Sequence, residues 1–323
     1  HEAAGIIEAV GPDVTGVAVG DYVVIAWRAP CGVCRSCRRG RPWYCFDSRN
    51  ASQPMTLVDG TPLSPALGIG AFADKTLVAA GQCVPVDRRA RPEAAGLIGC
   101  GVMAGFGAAV NTGGVTRGDT VAVFGCGPVG QFAIRSALMM GAGRVVAIDR
   151  IPERLAMAAQ AGAEIVNFDK EEPYDRLNQL TGGRGPDSCI DAVGMEAHGS
   201  GAFDAVLDRG EAALGIATDR IHAMRQCITN CRCGGTVSLS GVYGGFLNHV
   251  NMGAAFQKGL TMRMGQCNVL NYMDKLMRMI EEGKFDPSFV ITHTVALGDA
   301  PKMYEIFKKK QDGCIKVVMK PNG

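Results

Sequence analysis

The stretch Val121-Ala122-Val123-Phe124-Gly125-Cys126-Gly127-Pro128-Val129-Gly130 decides the fold. Four apolar residues read as a strand, Gly125, Gly127 and Gly130 form G-x-G-x-x-G, and the run Val129 to Met140 reads as a helix. In that setting each glycine has a purpose. Gly125 allows a tight turn, Gly127 lets a pyrophosphate approach the backbone, and Gly130 lets the helix pack closely on the strand. Pro128 and Val129 open the helix, whose N-terminus faces the phosphate charge. A glycine-rich turn without a ligand is the plainer alternative, and the strand before it and helix after it argue against that.

Working outward, a second apolar run, Val145 to Ile148, ends at Asp149, 24 positions after Gly125. A carboxylate there accepts hydrogen bonds from both ribose hydroxyls and repels a 2′-phosphate, which favours NAD over NADP. Arg150 is the counterweight, since an arginine beside the acid could meet a 2′-phosphate; a solvated loop charge is the other reading. The alternation continues with a helix from Pro152 to Gly162, a strand Glu164 to Phe168, and a short helix ending near Thr181. A strand Ser188 to Val193, a helix near Asp219 to Cys231 and a strand Thr236 to Val242 follow. The expectation is an α/β protein with a doubly wound parallel sheet. Ala197 to Arg220 reads as an excursion between elements.

The first hundred residues read differently, as short β segments (Gly5 to Val10, Asp21 to Ile25, Ala71 to Val78, Cys83 to Val86) broken by Gly and Pro, hence a small all-β region. Two late helices, Tyr272 to Glu282 and Pro301 to Lys310, and a terminal strand Cys314 to Met319 need not belong to the sheet domain.

Within the β region, Cys31, Cys34, Cys37 and Cys45 follow C-x2-C-x2-C-x7-C, close enough for one loop to wrap four thiolates around a tetrahedral zinc ion. Four thiolates leave no open position, so the site is structural. Arg35, Arg38, Arg39 and Arg41 offset its negative charge, which explains the basic cluster without nucleic acid. Redox or incidental cysteines are the competing reading.

Composition agrees with a soluble enzyme of small molecules. The chain has 323 residues, 47% of them hydrophobic, and a formal charge of +2, which gives no reason for a nucleic-acid or anionic-membrane partner. No apolar run reaches the roughly 18 residues of a membrane helix, and the N-terminus lacks a signal-peptide pattern. Thirteen cysteines in so large a chain suggest reduced thiols in the cytoplasm.

The order His1-Glu2-Ala3-Ala4-Gly5, the four-cysteine loop, Gly99-Cys100-Gly101, the glycine motif and Asp149 resembles the medium-chain zinc alcohol dehydrogenases across essentially the whole chain. Trp27-Arg28-Ala29, Arg41-Pro42-Trp43-Tyr44-Cys45 and Pro65-Ala66-Leu67-Gly68-Ile69-Gly70 are most similar to mycothiol-dependent formaldehyde dehydrogenases. From about Gly118 onward, with Asp191-Ala192-Val193-Gly194-Met195-Glu196-Ala197-His198-Gly199 and Asp312-Gly313-Cys314-Ile315-Lys316, the chain resembles glutathione-independent formaldehyde dehydrogenases.

The resemblance implies a GroES-like β domain over residues 1–105, to which 266–323 return, and a Rossmann NAD-binding domain over 106–265. It implies a catalytic zinc held by His1, Cys100 and a further cysteine, with Glu2 as the acid behind the ligands. That further cysteine and the proton relay are expected to belong to a segment preceding His1, which makes the chain N-terminally truncated. Considered alone, His1 reads as a chain terminus and Cys100 as a buried small hydrophobe. The resemblance also assigns Arg154, Val242 and Lys316 to the cofactor and Trp27 and Phe72 to the substrate pocket; surface charge and core packing are the plainer readings of Arg154, Lys316 and Trp27.

The implied reaction is hydride transfer to NAD from a primary alcohol or from formaldehyde, free or as a thiol adduct. A zinc-free NADPH quinone reductase is disfavoured by the cysteine lobe. A non-catalytic protein that binds NAD and zinc is the alternative from another class. Relatives imply a homodimer or tetramer joined through the NAD-domain sheet, and loss of N-terminal strands would leave unpaired edges and lower solubility.

Overall fold

The computed structural model describes residues 1–48, 55–195, 197, 220–265 and 268–321. From its start the chain forms β1 (Ala4–Ile6), β2 (Tyr22–Ile25), α1 (Arg35–Arg38), β3 (Met55–Thr56), β4 (Pro62–Leu63), β5 (Cys83–Pro85), α2 (Pro92–Leu97) and α3 (Gly101–Gly107). Next come β6 (Thr120–Phe124), α4 (Pro128–Met139), β7 (Arg144–Asp149), α5 (Pro152–Gln160), β8 (Glu164–Asn167), α6 (Pro173–Thr181) and β9 (Ser188–Asp191). The remainder is α7 (His222–Asn230), β10 (Thr236–Leu239), α8 (Met252–Gln257), β11 (Thr261–Met264), α9 (Val269–Glu281), β12 (Ile291–Ala296), α10 (Ala300–Lys309) and β13 (Lys316–Lys320). The chain divides into two compact units, His1–Met103 with Asn268–Gly323, and Ala104–Cys267.

In the second unit, six parallel strands lie in the order β11-β10-β9-β6-β7-β8. The order reverses between β6 and β9, so the crevice of a doubly wound sheet opens at their C-terminal ends. Every residue of β6 is buried, as a strand flanked by helices on both faces requires. Alternate side chains serve opposite cores: Val121 and Val123 pack with Ala133, Ile134 and Ala137, whereas Ala122 and Phe124 pack with Ile148, Leu177 and Ile228. Proline stands in the first turn of α4, α5 and α6, where a missing N–H costs nothing, and Gly182 ends α6 in the left-handed conformation.

The first unit is built on the antiparallel sheet β1-β2-β5, whose central strand β2 is wholly buried. The residues after 268 add α9, α10 and the parallel pair β12-β13. The α/β class with a small antiparallel sheet and a doubly wound parallel sheet is therefore present. No helix among the described residues is long and apolar enough to cross a membrane.

Three expectations need correction. Ala71 to Val78 is not a strand: Lys75 pairs with Glu8 at 2.6 Å and Thr76 donates to the Ile69 carbonyl, so the segment is held by side chains rather than by a ladder. The strand proposed for Gly5 to Val10 stops at Ile6. The first hundred residues are not all β, because α1 and α2 lie among them; Pro92 and Glu93 at the start of α2 are ordinary helix-opening residues. The excursion assigned to Ala197–Arg220 lies, apart from its two end residues, outside the described residues.

Candidate active site

The glycine loop joins β6 to α4, and its three glycines meet three different surroundings. Gly125 has φ +92°, and a Cβ there would lie 2.5 Å from Val193 Cγ2. A Cβ on Gly130 would lie 1.9 Å from the Gly125 carbonyl oxygen, so only a bare Cα lets α4 close on the turn. Over Gly127 there is room, and the first neighbour a Cβ would meet is the Arg154 guanidinium at 3.7 Å. The N-terminus of α4 follows Gly127 directly and one guanidinium borders the space above it, a combination suited to a pyrophosphate.

Asp149, at the tip of β7, is 6% exposed. One carboxylate oxygen accepts the Cys126 amide at 2.7 Å, and the other accepts the Arg150 and Ile151 amides at 2.7 and 3.0 Å. Those bonds fix the acid beside the glycine loop. Arg150 is engaged on its own side, ion-paired with Asp169 at 3.2 Å, its guanidinium 6.0 Å from the Phe168 ring centroid. Buried Gln131 of α4 donates to the Cys126 and Arg154 carbonyls at 3.0 and 2.8 Å, tying the loop to the turn that carries Arg154. The Cys126 thiol is fully buried, and desolvation pushes its pKa far up, so it acts as a small hydrophobe.

In the first unit, the His1 imidazole and the Cys100 sulfur are hydrogen-bonded, and that bond raises the imidazole pKa against the opposing effect of burial. Two zinc-type donors therefore converge. Cys100 sits between two glycines, and a Cβ on Gly99 would press to 2.9 Å on the Ile25 carbonyl oxygen. Glu2 lies beside them, accepting the Gly101 amide at 2.7 Å on one oxygen and the Lys316 ammonium on the other. Lys316, expected at the cofactor, is thus ion-paired with Glu2, its side chain 21% exposed.

Cys31, Cys34, Cys37 and Cys45 bring their sulfurs within 4.8 Å of one another. The Cys34 sulfur lies 3.5 Å from that of Cys37 and 3.9 Å from that of Cys45, straddling the roughly 3.8 Å edge of a tetrahedron with 2.3 Å Zn–S bonds. Backbone amides of Cys31 and Cys34 point at the Cys45 and Cys31 sulfurs at 3.3 Å, as amides do around metal thiolates. A backbone hydrogen bond holds the Cys34 thiol down to about 6, whereas desolvation pushes Cys37 up to about 12. Thiolates this close repel one another unless a cation sits between them. The donor set fits zinc.

Of the remaining assigned residues, Trp27 is buried with the Arg28 guanidinium 5.4 Å from its ring centroid. Phe72 is 54% exposed and packs edge-on against Tyr304 at 5.9 Å between centroids. Val242 is exposed beyond β10, its carbonyl accepting the Met195 amide at 2.9 Å.

Residues 1–88 match the alcohol dehydrogenase GroES-like domain, and residues 128–215 match the zinc-binding dehydrogenase domain. An uncharacterised zinc-type alcohol dehydrogenase-like protein of Bacillus subtilis is 35% identical over 327 residues, covering 99% of this chain and 84% of that protein. The chain belongs to the medium-chain zinc alcohol dehydrogenase family. An S-(hydroxymethyl)glutathione dehydrogenase of Saccharomyces cerevisiae is 38% identical over 209 residues, 60% of this chain and 54% of that protein. Among solved structures, an alcohol dehydrogenase of Thermus sp. ATN1 superposes with a TM-score of 0.77 at 32% identity, covering 98% of this chain and 82% of that one.

As a zinc alcohol dehydrogenase-like, NAD(P)-dependent oxidoreductase, the chain carries residues in its cofactor unit that motif reading passes over. Gln131 follows the last glycine of the motif, yet its role is visible only in its contacts. Asp191 and Tyr243, joined at 2.5 Å, lie far apart in sequence, and only the acidic residue closing an apolar run offered a signal.

Proposed function

We propose that this zinc alcohol dehydrogenase-like chain oxidises a primary alcohol or formaldehyde, free or as its hydroxymethyl adduct with a thiol, by hydride transfer to NAD. The observation that carries the reading is the meeting of His1 with Cys100, with Glu2 behind them. A zinc ion held by His1 and Cys100 would supply Lewis acidity to the hydroxyl oxygen, and NAD would accept the hydride. Around it the chain's own groups do the placing. Glu2, held by the Gly101 amide and Lys316, keeps a negative charge beside the two donors.

The glycine loop and Arg154 would bind the pyrophosphate, and Asp149 the ribose hydroxyls. The Asp149 carboxylate would repel a 2′-phosphate, and Arg150 is already paired to Asp169, which together favour NAD over NADP. The formaldehyde adduct is supported by the S-(hydroxymethyl)glutathione dehydrogenases among the relatives and by the likeness of the first part to mycothiol-dependent formaldehyde dehydrogenases.

Formation of NADH, followed at its absorbance band, tests the reading with ethanol or benzyl alcohol, formaldehyde alone, and formaldehyde with glutathione or mycothiol. Turnover with the alcohols or with formaldehyde in any of these forms supports it, and the thiol required identifies the adduct. No turnover with any of them removes it. Metal analysis provides a second readout: about two zinc ions per chain are expected, against about one if only the cysteine lobe is filled.

A further inference from the structure

Asp191 ends β9, the strand that pairs with β6 on one side and β10 on the other, and its carboxylate is completely buried. An unpaired buried carboxylate is among the most costly groups a core can contain. Here one oxygen accepts the Val193 and Gly194 amides at 2.9 and 3.0 Å, and the other accepts the Tyr243 hydroxyl at 2.5 Å. The Asp191 backbone carbonyl accepts the Ser240 and Gly241 amides at 3.0 and 2.8 Å. One residue therefore fastens the turn after β9 and the turn after β10 together.

Those turns flank the crevice where the sheet order reverses. Val193 presses on the glycine loop at Gly125, and Gly194 packs so tightly on the next turn that a Cβ there would lie 2.4 Å from the Val242 nitrogen. In a doubly wound sheet each half takes one mononucleotide. Asp149 on β7 marks the adenosine half, which leaves the turns after β9 and β10 to the nicotinamide half.

We propose that Asp191 and Tyr243 are a positioning pair that holds the nicotinamide half of the dinucleotide site in its binding shape. The proposal rests on the NAD reading above. Burial raises the pKa of the Tyr243 hydroxyl, with the neighbouring Asp191 charge adding to the effect, so it stays a donor throughout the working range. Desolvation raises the Asp191 pKa and the Tyr243 hydrogen bond opposes it, so removing that donor takes away a partner the buried carboxylate relies on and loosens the Gly241–Tyr243 turn, while the glycine loop and Asp149 keep their own bonds.

Calorimetric titration of the full chain with NAD and separately with ADP, together with thermal unfolding, tests this in wild type, Tyr243→Phe and Asp191→Asn. Wild type is expected to bind both ligands. Tyr243→Phe should weaken NAD binding by at least roughly tenfold while ADP binding changes less than about twofold. Asp191→Asn retains an acceptor for the two amides, and should show the same split at smaller amplitude; it serves if Tyr243→Phe does not fold. Equal weakening of both ligands, or NAD affinity unchanged in both variants, overturns the pair's role and leaves the dinucleotide site standing. A wild type that binds neither ligand overturns the dinucleotide reading and this proposal with it.

Discussion

A methyl group added at two glycines of one loop should have opposite consequences. At Gly130 it would lie 1.9 Å from the Gly125 carbonyl oxygen, far inside van der Waals contact, so α4 must move off β6. Gly130→Ala is expected to lower stability by about 3 kcal/mol, the upper end for overpacking, and to abolish NAD binding. At Gly127 the same methyl meets only a guanidinium at ordinary contact distance. Gly127→Ala should therefore leave the thermal midpoint within about 2 °C of wild type and weaken NAD by roughly tenfold, because it fills space the pyrophosphate needs. Thermal unfolding and NAD titration of both variants check the contrast; equal midpoints would show that α4 can yield. The His1–Cys100 pair is the residue-scale case that no local reading could reach. Each has a bland interpretation alone, and only the fold of the first unit brings the imidazole to the sulfur.

At the level of elements, the end of the sheet remote from the crevice is pinned by Asp187, just before β9. Its carboxylate accepts Arg184 at 2.7 Å, Arg232 at 2.6 Å and the Thr120 amide at 2.8 Å. Burial alone would raise this carboxyl, but the hydrogen bonds from Arg184, Thr120 and Arg232 outweigh it and hold the pKa at about 2, below the ordinary 3.8. A depressed acid stabilises the folded state above its unfolded pKa, and that contribution is lost as pH falls through the folded value. Asp187→Asn should therefore cost about 2 kcal/mol at pH 7, with the gap to wild type closing between pH 4 and pH 2 in denaturant titrations. A gap that persists at pH 2 would trace the effect to packing. The cysteine lobe makes a separate prediction. Cys45 is completely buried among the sulfurs, so Cys45→Ser should remove about one zinc per chain and open residues 31–45 to proteases. NAD affinity should stay within about twofold, because the glycine loop belongs to the other unit.

For the whole molecule, what was readable in the sequence follows from how local each signal is. The β6 strand, the glycine motif and α4 are contiguous, and the four sulfurs lie on one short loop, so spacing alone announced both. β11 carries only a weak signal, because Thr261, Met262, Arg263 and Met264 alternate over just four residues with no sustained apolar run, and an edge strand need not bury both faces. The Asp191–Tyr243 bond spans two parallel strands and their crossover, a distance no motif covers. The exposed edge leads to the last prediction. Met264 is 63% exposed and Phe256 of α8 is 88% exposed, while β11 pairs only with β10 among the described residues. A strand with open backbone groups beside exposed apolar side chains invites pairing with another chain. We propose a two-fold dimer in which β11 pairs with its symmetry mate and continues the sheet, since an isologous contact satisfies both edges at once. Light scattering should give twice the chain mass for wild type and a single chain mass for Met264→Lys combined with Phe256→Lys, with NAD binding retained. A wild-type monomer, or a variant that remains a dimer, would place any association on another surface.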